Sequence, residues 1–314
     1  MLRQYFLKRL LVAIPSLLIA SVIVFSLVRL IPGDVVTLMM EENQYAKDLE
    51  EMRRKLGLDR PIHVQYLEWI WRAVRGDFGQ SLYTGRPVLG ELATRLPVSL
   101  ELGAIALLVA ILVGVPIGIV SAVRQDTAHD YVARSGAILG LSVPGFWLGT
   151  LVVVLPAIYL GWSPSIQYVR FETNPWGHVV QFFIPGILLG IASAATVMRL
   201  TRTQLLEVLR QDYVRTAWAK GLAERRVVLK HCLKNALIPV VTVLGIQVAQ
   251  ILSGTVIFES IFGLPGMGRF LFDAISERDY PVIQAINLAV VTTVVLVNLV
   301  VDMTYAWLDP RIRY

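Results

Sequence analysis

Six stretches of this 314-residue chain, 10–31, 97–120, 137–160, 182–200, 237–258 and 282–307, are apolar over about the length of a membrane-crossing helix. Hydrocarbon roughly 30 Å thick takes about 20 helical residues to cross, and without water each segment must satisfy its own backbone hydrogen bonds. Composition agrees. Hydrophobic residues make up 55% of the chain and charged ones 17%, and the mean hydropathy is +0.62, more apolar matter than a water-soluble domain of this size could carry. The expected fold class is an all-α integral membrane protein with six transmembrane helices. Arg3, Lys8 and Arg9 precede the first stretch as they would a secretory signal, yet the run is longer than a signal core and no small-x-small cleavage pattern follows, so a retained helix is expected.

Positive charge orients the helices. Arg3, Lys8 and Arg9, then Arg202, Arg210, Arg215, Lys220, Arg225, Arg226, Lys230 and Lys234 after the fourth stretch, then Arg311 and Arg313 share one side if six spans are correct. Opposite lie 161–181, with Arg170 alone, and 259–281, where Glu259, Asp273, Glu277 and Asp279 outnumber Arg269 and Arg278. Both termini are therefore expected in the cytoplasm, with 33–96 outside. Two short helices are expected in that external segment: a charged amphipathic one ending at Gly57, and one placing Tyr66, Leu67, Ile70, Trp71 and Val74 at helical spacing. Trp69 and Trp71 fit an interfacial aromatic belt better than a surface for an external partner.

Several chemistries lack their residues. Cys232 is the single cysteine, which excludes an intrachain disulfide, and His63, His129, His178 and His231 show no paired metal spacing. No G-x-x-x-x-G-K-[ST] loop is present to cradle nucleotide phosphates, so any ATP chemistry is expected in another chain.

The most basic segment, DYVRTAWAKGLAERRVVLKHCLKNALIPVV at 212–241, reads as helix, glycine break, helix: one helical run over 201–219, a break at Lys220-Gly221, and a second run over 223–237 with Pro239 opening the next span. Small residues at Ala217, Ala219 and Gly221 would let another protein approach the bend, ringed by Arg215, Lys220, Arg225 and Arg226. The competing reading is a basic amphipathic helix lying on anionic lipid. A nucleic-acid surface is disfavoured, because only Tyr213 and Trp218 interleave the charges.

RTAWAKG at 215–221, followed by LIP at 237–239, resembles the cytoplasmic EAA loop of ATP-binding-cassette (ABC) importer permeases of the dipeptide, oligopeptide, glutathione and nickel group. RLIPGD (29–34), KLGLDRP (55–61), GDFGQSL (76–82), RLPVSLEL (95–102), SVPGFWLG (142–149), FGLPGMGR (262–269), RDYPVIQA (278–285) and the final DPRIRY resemble that group's first permease subunit, so the likeness spans nearly the whole chain. Arg215-Thr216-Ala217 stands where the general motif has Glu-Ala-Ala, and Gly221 to Pro239 is longer than the general spacing; both departures match the peptide and nickel branch.

The resemblance implies a type I ABC importer permease fold: residues 1–94 as first helix plus external helical insertion, 95–308 as transmembrane core with the coupling loop near 201–236, and 309–314 as a cytoplasmic tail. It implies a coupling loop of Arg215, Thr216, Ala217, Ala219, Lys220, Gly221, Leu222, Arg225 and Arg226. It also implies a second homologous permease, two ABC ATPases holding the ATP and Mg, an extracytoplasmic substrate-binding protein, and a site in a bacterial or archaeal inner membrane. No cofactor or metal of the chain's own is expected, nor any catalytic residue. In the fifth stretch Gln247, Gln250 and Gly254 stand at i, i+3 and i+7, with Ser253 beside them; a peptide-conducting wall and plain helix packing are equally consistent with them. Glu101 and Asp302, near span ends, need no proton relay, and none of the buried acidic chains of an ion-coupled transporter acting alone is evident. If this orientation holds, single cysteines at Gln80 and Glu224, with Cys232 removed, will label from opposite sides with an impermeant thiol reagent in intact cells. Labelling of both from outside overturns it.

Overall fold

A computed structural model describes residues 2–30, 59–164 and 167–308, and its regular structure is helical apart from one isolated antiparallel bridge between Gln80 and Pro87. Helix α1 (Leu2–Leu30) is followed by α2 (Ile62–Val74). Helix α3 (Val88–Val109) passes through a π-helical turn (Ala110–Gly114) into α4 (Val115–Val123). Then come α5 (Ala128–Ser142), α6 (Gly145–Leu160), α7 (Pro175–Leu209) and the short α8 (Asp212–Ala219). A turn at Glu224–Arg226 and a π-helical stretch Val227–Cys232 lead into α9 (Leu233–Phe262), then α10 (Met267–Ser276) and α11 (Tyr280–Leu308). The expected charged helix ending at Gly57 and the DPRIRY tail lie outside the described residues.

Among the described residues, five helical spans are long and apolar enough to cross a membrane alone, and α5 with α6, bent by 86°, reaches that length and apolarity only as a pair. The interruption that Pro144-Gly145 implies in the apolar stretch 137–160 is thus a sharp bend. Pro144 explains the break: it has no N–H to donate and drives Val143 into an extended conformation (φ −90°, ψ 121°). Pro239, expected to open the fifth span, instead sits inside continuous α9.

The long α7 is the spine, packed against α3, α4, α5, α6 and α9. Its approach to α3 and α4 is close enough to exclude side chains. A Cβ at Gly190 would lie 2.8 Å from the Ala106 carbonyl oxygen, and one at Gly114 would lie 2.6 Å from that of Ala194. Lipid gives helices no hydrophobic drive to associate, so such backbone proximity supplies the dispersion contacts that hold them. Helix α1 runs along α11, with an Arg9–Asp302 ion pair at 3.3 Å between them.

Helix α2 forms as expected but rolls differently. Tyr66 and Trp69 pack on Phe25 of α1 and Tyr66 shares a 2.8 Å hydrogen bond with Ser21, while Leu67, Trp71 and Val74 stay exposed. Trp69 therefore stacks within the protein and only Trp71 faces outward.

At the end of the bundle opposite α8, the sequence motifs meet in two polar knots. Ser81 and the Leu82 N–H donate to the buried Asp279 carboxylate, joining the 76–82 and 278–285 motifs. Glu259 of α9, fully buried, accepts from Ser99 Oγ at 2.5 Å and from Arg269 N at 2.9 Å, while Met267 N donates to Ser99 Oγ at 2.8 Å. Its carboxylate caps the first turn of α10, where unpaired N–H groups favour negative charge. The glycines of FGLPGMGR follow from this. Gly263 ends α9 in the left-handed region (φ 66°), a Cβ at Gly266 would overlap the Glu259 carboxylate, and one at Gly268 would lie 2.5 Å from Val256 Cα. Gly266→Ala will therefore dislodge Glu259 at a cost of about 1.5–3 kcal/mol per charged hydrogen bond lost. A lowered thermal midpoint of the purified protein reads this out, against Gly90→Ala, whose Cβ meets nothing within 4 Å, as neutral control.

Candidate functional site

The α8 elbow is an apolar wedge with a polar outer surface. Val214, Ala217 and Leu222 turn inward onto Ala122 of α4, Leu205, Leu206 and Leu209 of α7, and Val227, Val228, Cys232 and Ala236 leading into α9. Each fully buried Val or Leu contributes about 1.5–3 kcal/mol relative to exposure in water, so the elbow is fastened to three membrane-crossing elements at once. Tyr213 adds a polar clasp, its hydroxyl accepting from Asn235 Nδ2 at 2.9 Å.

Helix α8 ends in a Schellman motif. Gly221 N donates to Trp218 O at 2.9 Å, Leu222 N donates to Ala217 O at 3.4 Å, and Gly221 takes φ +73°, which any side chain would strain. The glycine break expected at Lys220-Gly221 is there, and Leu222 supplies the apolar contact that accompanies the motif. The start of α8 differs from expectation. The run over 201–219 is not one helix, because α7 stops at Leu209 and the chain turns at Gln211 (ψ 149°) before α8 begins.

Arg215, Thr216, Ala219, Lys220, Gly221, Arg225 and Arg226 are all exposed, with Trp218 half-exposed beside them. Arg215 and Asp212 pair at 3.6 Å, but both side chains are so open to water that the contact is screened and contributes little. Ala217 departs from expectation: it is only 7% exposed and packed against its own chain, so its small size serves the elbow's own seating rather than another protein's approach. Ala219 is exposed, and open space surrounds the Cβ position of Gly221.

The four polar or small residues of the fifth stretch do not share one surface. Gln247 is buried and Gly254 lies against Leu189 of α7, where a Cβ would be 2.9 Å from Leu189 Cδ1; Gln250 and Ser253 are exposed. Glu101 has a protein partner rather than solvent alone: His178 Nε2 lies 2.8 Å from its carboxylate, and His178 Nδ1 lies 2.7 Å from Val169 O. Sequence reasoning also missed Glu259 as a helix cap, Tyr213 as a clasp, and a buried contact between Asp130 and Arg202. The first carried a faint signal in the glycines of 262–269; the last pair, 72 positions apart, carried none.

The family model described as binding-protein-dependent transport system inner membrane component matches residues 114–314, and the model for the N-terminal part of that membrane component matches residues 1–103. The chain belongs to this family of ABC importer permeases. The permease is 43% identical over 311 residues to the glutathione transport system permease protein GsiC of Salmonella choleraesuis (strain SC-B67), across 99% of both chains. It is 38% identical over 335 aligned residues to the dipeptide transport system permease protein DppB of Escherichia coli (strain K12), again across 99% of both. Its fold is also that of an inward-facing MetNI methionine ABC transporter chain, with a TM-score of 0.53 at 16% identity over 69% of the permease and 96% of that chain. It is a multi-pass inner-membrane protein, and the reading as a lone ion-coupled transporter or channel is not favoured.

Because Ala217 is an inward residue, Ala217→Trp will damage the permease itself. Overpacking costs about 1–3 kcal/mol, so its thermal midpoint in detergent will fall with no other subunit present. Ala219→Trp, on the exposed side, will leave the midpoint within error of the parent. Equal midpoints for the two variants would contradict the packing described.

Proposed function

We propose that this permease forms half of an import pathway for short peptides, glutathione and dipeptides being the first candidates by kinship with the relatives named for those solutes. It pairs with a second homologous permease, receives substrate from an extracytoplasmic binding protein, and is driven by two ABC ATPases that hold the ATP and Mg. The elbow and both termini face the cytoplasm of a bacterial or archaeal cell, following the distribution of positive charge.

The observation that carries the coupling role is the division of the elbow into two faces. Its apolar residues Val214, Ala217 and Leu222 are consumed by contacts to α4, α7 and α9, leaving Arg215, Thr216, Ala219 and Lys220 outward. A helix resting on lipid needs a free apolar face to insert, and this one has little beyond Trp218. A rigidly seated polar knob suits a groove on a soluble partner. ATP-driven approach of the two ATPases would press that knob, and the fastened helix ends would carry the displacement into the membrane, shifting the balance between inward-open and outward-open states. Gln250 and Ser253, exposed on α9 of the single chain, are candidates for the wall that substrate passes; Gln247 and Gly254 support α9 from within.

Ala219→Trp tests the knob. Crowding the groove by about 1–3 kcal/mol corresponds to a roughly 5- to 150-fold loss of ATPase affinity. Co-purification of the ATPases and uptake of labelled glutathione or a labelled dipeptide should both fall at matched membrane expression. If both survive in Ala219→Trp, while neutralising Arg225 and Arg226 frees the elbow from the bilayer surface, the lipid reading replaces this one. The purified permease alone is expected to hydrolyse no ATP.

A further inference from the structure

Asp130 stands in the first turn of α5 and is completely buried. Arg202 of α7 grips both its oxygens, Nε to Oδ1 at 2.8 Å and Nη2 to Oδ2 at 2.7 Å. Ser121 Oγ of α4 donates to Oδ1 at 2.5 Å, and the backbone N–H of Asp126, in the turn between α4 and α5, donates to Oδ2 at 3.1 Å. One carboxylate thus binds α4, its connecting turn, α5 and α7. A buried charge with this many donors cannot lose one partner cheaply, and a bidentate guanidinium–carboxylate pair fixes orientation as well as distance.

The neighbourhood shows what the pair holds. Along the rest of its length α5 stands off from α3 and α4 across an apolar cleft of about 830 Å³, lined among others by Val113, Ile117, Val132, Gly136, Ile191 and Met198. On its other side it packs on α7 only through small residues, Ala133 and Ala137 against Ala195 and Met198 and Gly140 against Ile191, where a Cβ on Gly140 would lie 3.2 Å from Ile191 Cγ2, and beyond Pro144 the chain swings away by 86° into α6. The other members of the polar cluster are rooted in the elbow's packing: Ser121 precedes Ala122, and Arg202 lies one turn before Leu205, both of which pack on α8 and the stretch leading into α9.

From this arrangement we infer that the Asp130–Arg202 pair is the tether that passes displacement of the elbow to α5 and, across the bend, to α6. Asp130 and Arg202 are positioning residues in this scheme and touch no substrate. Apolar contacts alone would let α5 slide over α7, since the cleft leaves it unsupported on one side; the bidentate pair makes the start of α5 turn with the end of α7. The inference rests on the coupling role proposed for α8.

The test uses the assembled importer, permease pair with its ATPases, in lipid nanodiscs with Cys232→Ser. Spin labels at Leu112 and Ser135, both exposed and beside the cleft, report its width by pulsed electron resonance, without nucleotide and after trapping with ATP and vanadate. The parent distance should shift on trapping. Asp130→Asn should lose at least about two thirds of that shift and Arg202→Lys, which keeps the charge without the fork, a smaller part. Both should keep the nucleotide-free distance and an ATP hydrolysis rate within about threefold of the parent. Glu259→Gln, a buried carboxylate at the other end of the bundle, should keep the whole shift. An undiminished shift in Asp130→Asn overturns the inference, as does a parent that hydrolyses ATP with no shift. If Asp130→Asn does not assemble, Arg202→Lys and Ser121→Ala decide by the same criterion. A parent that retains no ATPase marks failure of the coupling reading itself, and the tether falls with it.

Discussion

The close approach of α7 to α3 and α4 sets the geometry on which both ends of the permease depend. Gly190 against the Ala106 carbonyl and Gly114 against the Ala194 carbonyl bring backbones together where a side chain would separate them. In a bilayer, where lipid tails solvate apolar side chains as well as protein does, this proximity is the main source of helix association. With α7 held in place over its length, its last turn presents Leu205 and Leu209 to the elbow, and its first turns carry His178 to Glu101 of α3 and Gln181 to the backbone N–H of Val169.

The two ends solve different physical problems. At the end opposite the elbow, irregular backbone must be satisfied, and buried carboxylates do it: Asp279 accepts from Ser81 and Leu82, and Glu259 caps α10 with help from Ser99. Buried charges there are each matched by donors, as burial demands. At the elbow itself the joint is mainly apolar, with the buried Asp130–Arg202 pair about one turn away and most of the elbow's charged groups outward. One end is thus fixed by matched buried carboxylates, while the other presents an exposed, basic surface.

The broken helix α5–α6 links these themes. Pro144 makes the break, but a break alone would leave α5 loosely attached beside an apolar cleft. Small-residue packing of Ala133, Ala137 and Gly140 on Ala195, Met198 and Ile191 holds α5 to α7, and the Asp130–Arg202 pair fixes its first turn in orientation as well.

The apolar run lengths determined the fold class, because crossing hydrocarbon imposes a length and forbids unsatisfied backbone, and both conditions are local to each segment. Local chemistry likewise made the break at Pro144 and the stop at Gly221 legible: a missing N–H and a left-handed φ belong to single residues. Which way a residue faces was not legible. Ala217 read as a surface residue among arginines, yet it is buried because α8 doubles back onto α4, α7 and α9, and the turn at Gln211 that permits this has no proline or glycine to announce it. Tyr66 and Trp71 stand at helical spacing, yet only Tyr66 meets Phe25. Gln247 and Gln250 separate because the rest of the chain covers the first and leaves the second exposed. The Asp130–Arg202 pair joins positions far apart in the chain. Periodicity gives a helix its possible faces, but the neighbours that bury one of them come from distant segments, so facing, long-range ion pairs and the seating of the elbow were decided only by tertiary packing.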